Sequence, residues 1–206
     1  YEISDVGAHG KVVALKAHRD LNLWYRTGLP YDEIHPEDPN NVGVIARSET
    51  DGQENMKAYK QIPDWKTHYP VAAYVSDLND ENGNPGWYLP AIKEVQAMVG
   101  WIDGEVLSPD GEAGQEPSEA MKEKRKAINQ LIVDNGGNEF YFYGYDVSFI
   151  IDQTNAWEAD YFNRIYTSTE TDYQVHPMVF KFYLRNGWWE TMHVYGDLAG
   201  SYGEVR

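Results

Sequence analysis

The five residues Gly86-Trp87-Tyr88-Leu89-Pro90 limit what this chain can build more than any other stretch. They read as an extended segment stopped by a proline, and Ala91-Ile92-Lys93-Glu94-Val95-Gln96-Ala97-Met98 follows at once. Proline suits the first helical position, because its fixed φ fits a first turn and its missing N–H has no partner there anyway. Ile92, Val95 and Met98 or Val99 then recur at helical spacing, so one face of the helix is apolar. The pattern predicts a strand-to-helix junction in which Pro90 opens the helix and two aromatics sit beside it.

The segments on either side connect without a linker long enough to divide domains. Residues 1–206 therefore read as one domain: an N-terminal hairpin and loop (1–50), a helical part containing the junction (51–137) and a β-rich C-terminal part (138–206). Tyr1–Val6 and Lys11–Leu15 flank Gly7-Ala8-His9-Gly10 and predict an opening hairpin. Tyr31–Asn41, rich in Pro, Asp and Glu, is loop. From Asp51-Gly52 onward, Asn55, Met56, Tyr59 and Ile62 mark a short helix that ends before Pro63. A second helix runs through Tyr69–Leu78, and Asp80–Pro85 reads as a polar turn. Ser118 caps a further helix with apolar positions at Met121, Ile128, Leu131 and Ile132, closed by Gly136-Gly137.

Asn186-Gly187 between Met178–Arg185 and Trp188–Tyr195 is the strongest two-residue hairpin signal in the chain. A two-residue turn there sets Arg185 opposite Trp188, Leu184 opposite Trp189, Phe182 opposite Thr191 and Phe180 opposite His193. Alternation then assigns Phe180, Phe182, Leu184 and Trp189 to the core side. Lys181, Tyr183, Arg185, Trp188, Glu190 and Met192 fall on the other side, with Arg185 placed to stack on Trp188.

Composition narrows the classes of partner. The 206 residues are 42% hydrophobic, enough for one sizeable core. With 33 acidic against 17 basic residues, the formal charge is −16, a surface that repels phosphate backbones and argues against nucleic acid. No apolar run approaches the roughly 18 residues of a membrane span. Zero cysteines remove disulfides, thiol nucleophiles and thiolate zinc sites. Aromatics reach 14%, with 16 tyrosines and 7 tryptophans, an excess that suits both a core and an adhesive surface.

Gly86–Pro90 with its helix, Tyr166-Thr167-Ser168-Thr169-Glu170, the strand Met178–Phe182 and the terminal Glu204-Val205-Arg206 occur in a familiar order. Together they resemble the bacterial C-type-lectin-like domains of unknown function found at the C-termini of collagen-like and fimbrial adhesins. The N-terminal part is similar to the version seen in gut-bacterial surface proteins, through His9-Gly10-Lys11-Val12-Val13, Asp51-Gly52 with Asn55-Met56, and Tyr69-Pro70 with Ala72. Two departures stand out: Thr167 occupies a place where Trp is common, and the chain stops at the first Val-Arg. The resemblance implies an α+β, C-type-lectin-like fold, with two main helices packed on a small twisted antiparallel sheet, long irregular loops and neighbouring termini. It also implies a secreted, non-enzymatic binding module at the extracellular or outer-membrane surface, recognising a glycan or a protein without a cofactor. The ligand face is expected on Trp188, Tyr183, Arg185, Trp157, Tyr161, Tyr173 and Tyr202.

Other chemistry finds little footing. Ala199-Gly200-Ser201-Tyr202-Gly203 falls one residue short of a nucleophile elbow and has no histidine after it. Asp77-x-Asn79-x-Glu81 and Asp80-x-Asn82-x-Asn84 resemble the start of a calcium loop but lack its glycine and its closing glutamate, and read as solvated turns without metal. The histidines lack His-Glu-x-x-His spacing, and His193, opposite Phe180, reads as a core histidine. Sulfatase-activating enzymes share the lectin-like fold, but their chemistry needs cysteine. Two alternatives remain: a stalk or pilus-associated domain without its own ligand, and a carbohydrate-active hydrolase using Glu158, Asp160 or Glu170.

Overall fold

Helix ends in this chain are set by side chains that the sequence places at the caps. Asp51 opens the first helix, its Oδ1 accepting from Glu54 N at 3.1 Å. Ser118 opens the last one through Met121 N at 3.3 Å. Gly136, at φ +79°, closes that helix, with its own N–H on Val133 O and Gly137 N–H on Ile132 O, both at 2.9 Å. The computed structural model describes residues 3–5, 11–14, 46–82, 86–103, 117–137, 162–170, 177–183 and 189–193. Their elements are β1 (Ile3–Asp5), β2 (Lys11–Val13), α1 (Gly52–Tyr59), α2 (Trp65–His68), α3 (Pro70–Asn82), α4 (Ile92–Asp103), α5 (Glu119–Asp134), β3 (Phe162–Glu170), β4 (Pro177–Tyr183) and β5 (Trp189–His193).

β1 and β2 form the opening antiparallel hairpin, and β3–β4–β5 form a second, three-stranded antiparallel sheet. α4 packs on β3 and β4, and α5 packs on α4. The core has two parts. Ala46, Met56, Tyr59, Ile62, Tyr69, Val71, Ala72, Tyr88 and Leu89 join α1, α3 and the junction, with the Tyr59 and Tyr69 rings stacked at 4.4 Å. Ile92, Val95, Val99 and Ile102 of α4 meet Ile165 of β3, and Ile128 and Ile132 of α5 close over them.

Four expectations need correction. α4 starts at Ile92, so Pro90 is not its first residue; the Pro90 carbonyl is taken by Ser168 N–H at 2.8 Å, and Ala91 carries the first helical acceptor, for Val95 N–H. α3 continues to Asn82, so Asp77–Asn82 are helix and not solvated turn. Helical geometry sends positions i and i+2 to different faces, which is incompatible with a calcium loop. Ile62 lies beyond α1, in the turn after Tyr59. Finally, β4 and β5 pair two residues out of the expected register: Phe182 stands opposite Trp189, Phe180 opposite Thr191 and Met178 opposite His193. A shift of two preserves parity. Phe180 and Phe182 therefore keep the ladder parity of Trp189 and of Ile165, whose side chain is only 3% exposed. Asn186-Gly187, on which the expected register rested, lies outside the described residues.

On α5 the buried stripe is Arg125, Ile128, Asn129 and Ile132, which leaves Leu131 at its margin and 62% exposed, against expectation. Arg125 occupies an apolar-face position and is fully buried with Asp103, the last residue of α4. Nε donates to Oδ1 and Nη2 to Oδ2, both at 2.8 Å. This two-point contact fixes the end of α4 on α5. Because removing one member leaves the other charge buried, Asp103→Ala should cost about 3–5 kcal/mol by urea unfolding. Replacing both members by apolar residues, Asp103→Leu with Arg125→Met, should be much milder than the single change. A single change costing under about 1 kcal/mol would show that the pair is well hydrated.

Candidate functional site

The Thr167-Ser168-Thr169-Glu170 run is the most polar part of the described interior, all of it at most 4% exposed. Its burial begins with a break in the ladder. Tyr166 pairs with Val179 and Glu170 with Pro177, so three residues of β3 face one of β4 and bulge away from it. The released backbone bonds elsewhere: Ser168 N–H reaches Pro90 O at 2.8 Å and Glu170 N–H reaches Ala46 O at 2.9 Å.

Side chains complete the join. Asn55 of α1 donates through Nδ2 to Ser48 O (2.7 Å) and Ser168 Oγ (3.0 Å), while its Oδ1 accepts from Ser48 N (2.9 Å). Tyr59 OH donates to Ser168 O at 2.6 Å. Thr169 Oγ1 donates to Ser48 O at 2.9 Å and accepts Ile92 N–H at 3.0 Å. That last bond satisfies one of the donors a helix N-terminus leaves without an internal partner. Lys93 N–H takes Glu49 O at 2.8 Å, and Ala91 N–H takes Glu94 Oε2 at 2.8 Å, the reciprocal half of a capping box.

Glu94 ties in two further elements. Its Oε2 also accepts Gly52 N–H at 3.1 Å; its Oε1 accepts Tyr88 OH at 3.0 Å and Lys11 Nζ at 2.5 Å. Gly52 approaches the junction so closely that a Cβ would lie 2.3 Å from Leu89 O. Lys11 of β2 donates to Tyr88 OH at 2.6 Å as well, which fastens the opening hairpin to the junction. Burial and the Glu94 charge push the Tyr88 phenol up to about 12, outweighing the opposing effect of Lys11. Burial works against the Lys11 ammonium, but its hydrogen bonds to Glu94 and Tyr88 prevail and hold it above the usual lysine range. Burial, then the nearby Glu170 charge, raises Tyr59 strongly.

The cluster is thus a latch in which Glu94 accepts from backbone donors, Tyr88 and Lys11, and Glu170 Oε2 accepts from the backbone. Glu170, the described member of the hydrolase alternative, is 4% exposed, with Oε2 on Ala46 N–H at 3.1 Å. Glu158 and Asp160 lie outside the described residues, as do Trp188, Arg185, Trp157, Tyr161, Tyr173 and Tyr202. Tyr183 ends β4 opposite Phe162, the first residue of β3, and Phe182 stands opposite Trp189, the first residue of β5. Residues 162, 183 and 189 therefore share one end of the sheet, and 170 and 177 lie at the other. Among the described residues no three His, Asp or Glu side chains gather as a metal site would require.

Sequence reasoning missed Glu94, Asn55, Thr169 and the Asp103–Arg125 pair. Signals for two of them exist: a glutamate three residues after Ala91, and an arginine spaced between Met121 and Ile128 on an apolar stripe. It also passed over Trp101 on α4, which is 73% exposed.

The raised Tyr88 pKa carries a sign. Its neutral form is favoured by the fold, so its contribution is complete below the ordinary tyrosine value of 10.0 and is lost as pH climbs toward about 12. The stability difference between the parent and Tyr88→Phe, followed by urea unfolding, should be constant at neutral pH and should shift against the parent across that alkaline window. A difference that stays flat through the window would show that Tyr88 is not held neutral by the latch.

No family model, curated protein or solved structure matches the chain significantly. Among the described residues no helix is long and apolar enough to cross a membrane.

Proposed function

We propose that the chain is a non-enzymatic, C-type-lectin-like binding module that recognises a glycan or a protein at a cell surface. The observation that carries this reading is the strand register. It sets Phe162, Tyr183 and Trp189 at one end of the sheet, and Tyr161, Arg185 and Trp188 stand within two residues of these in the chain. Rigid strands presenting aromatic-rich connections suit recognition, because aromatic rings bury much area at low entropic cost. The resemblance in the junction and in the Tyr166–Glu170 run supports the same reading, as does the packing of α4 against an antiparallel sheet. Glu170 supports it from the other side, since its carboxylate is buried and bound to Ala46 N–H.

A glycan array on the intact protein tests the reading and supplies a ligand for quantitative work. Burial of one ring is worth roughly 1.5–3 kcal/mol. Trp188→Ala should therefore weaken binding by about one to two orders of magnitude and leave the unfolding midpoint unchanged. Unfolding by this substitution would place Trp188 in the core. Unchanged stability together with unchanged affinity would remove this face as the site and favour the stalk.

A further inference from the structure

We propose that Trp101 and Lys124 form a subsite for an acidic sugar, a pyranose bearing a carboxylate; the inference rests on the glycan-binding reading. α4 buries Ile92, Val95, Val99 and Ile102, and Trp101 lies off that face with 73% of its surface in water. Leu131 and Val133 of α5 are the other large apolar residues exposed among those described, at 62% and 43%.

Lys124 is held beside the indole. Its Nζ donates to Trp101 O at 2.9 Å and lies 6.0 Å from the ring centroid. The helix segments that carry them are fixed relative to each other by the buried pair two residues beyond Trp101 and one beyond Lys124, Asp103 with Arg125. Platform and cation are therefore pre-organised, which reduces the ordering cost that a weak ligand must overcome.

Charge selects the ligand. The other lysines on this stretch of α5 are neutralised locally, Lys122 by Glu119 at 2.7 Å and Lys126 by Glu123 at 2.8 Å. Among the described residues Lys124 instead meets a neutral carbonyl, which leaves its positive charge available. An ammonium beside an exposed indole complements a ligand with a flat apolar C–H face and a carboxylate at its edge. A stable protein partner needs roughly 800 Å² per side. One indole beside a single lysine is matched instead to one sugar ring.

The test is NMR titration of the intact protein with glucuronic acid and with glucose, following the Trp101 indole N–H. Glucuronate should bind with an affinity of the order of millimolar, and glucose about tenfold more weakly. Trp101→Ala should abolish the shifts that either sugar produces in the backbone amides around Lys124. Lys124→Gln should reduce glucuronate binding to the glucose level, and Lys122→Gln should change nothing. The far-UV circular dichroism of each variant should match the parent. The proposal is overturned if glucuronate fails to shift the indole, or if Lys124→Gln and Lys122→Gln behave alike. Glycans captured on an array and retained by Trp101→Ala would overturn the subsite while leaving the sheet-end reading intact. An array that captures none, alongside a glucuronate shift that requires Trp101 and Lys124, would do the reverse.

Discussion

The opening hairpin, the segment before α1, α1, the Trp-Tyr-Leu-Pro junction and β3 all meet at the N-terminus of α4. A helix start exposes backbone donors that must find partners, and burying them without partners would cost several kcal/mol. Two partners come from far along the chain, Thr169 for Ile92 and Glu49 for Lys93, while Glu94 caps Ala91 locally and also takes Gly52 N–H of α1. Satisfying those donors draws together β3, the segment before α1, α1 itself and the Trp-Tyr-Leu-Pro junction. Lys11 then attaches the opening hairpin to the same carboxylate. The bulge in β3 is what makes this possible, because it frees Ser168 and Thr169 from the ladder.

The division of labour follows. Polar side chains that a sequence reader would inspect for chemistry, Glu94, Asn55, Ser168, Thr169 and Glu170, are consumed in holding elements together. The second buried polar contact, Asp103 with Arg125, does the same at the other end of α4. With both ends of α4 fixed, the helix serves as a rigid platform between the sheet and α5. Under the proposed function, recognition falls to residues outside this polar framework, and Trp101 on α4 is exposed.

Elements with local signals were legible in the sequence. Asp51, Ser118 and Gly136-Gly137 mark helix ends through capping chemistry that needs no tertiary context, and the structure keeps them. Where long-range contacts decide, local rules fail. Pro90 has the right φ for a first helical residue, but Ser168 takes its carbonyl and the helix waits until Ile92. Asn186-Gly187 suggested a two-residue turn, yet β4 and β5 pair two residues away from that register. Parity survived because alternation constrains the face more strongly than the turn constrains the register. Arg125 stands on an apolar stripe in the sequence, but its burial depends on Asp103, which lies on another helix.

The central claim is that the latch at the start of α4 opens only when the whole fold does. Native-state hydrogen exchange reads this directly, residue by residue, at the amides of Ala46, Gly52, Ile92, Lys93, Ser168 and Glu170. The account predicts that all six exchange with one opening free energy, equal to the global unfolding value from urea titration. Exchange of these amides through a much smaller, local opening, while the amides of α5 remain protected, would contradict it.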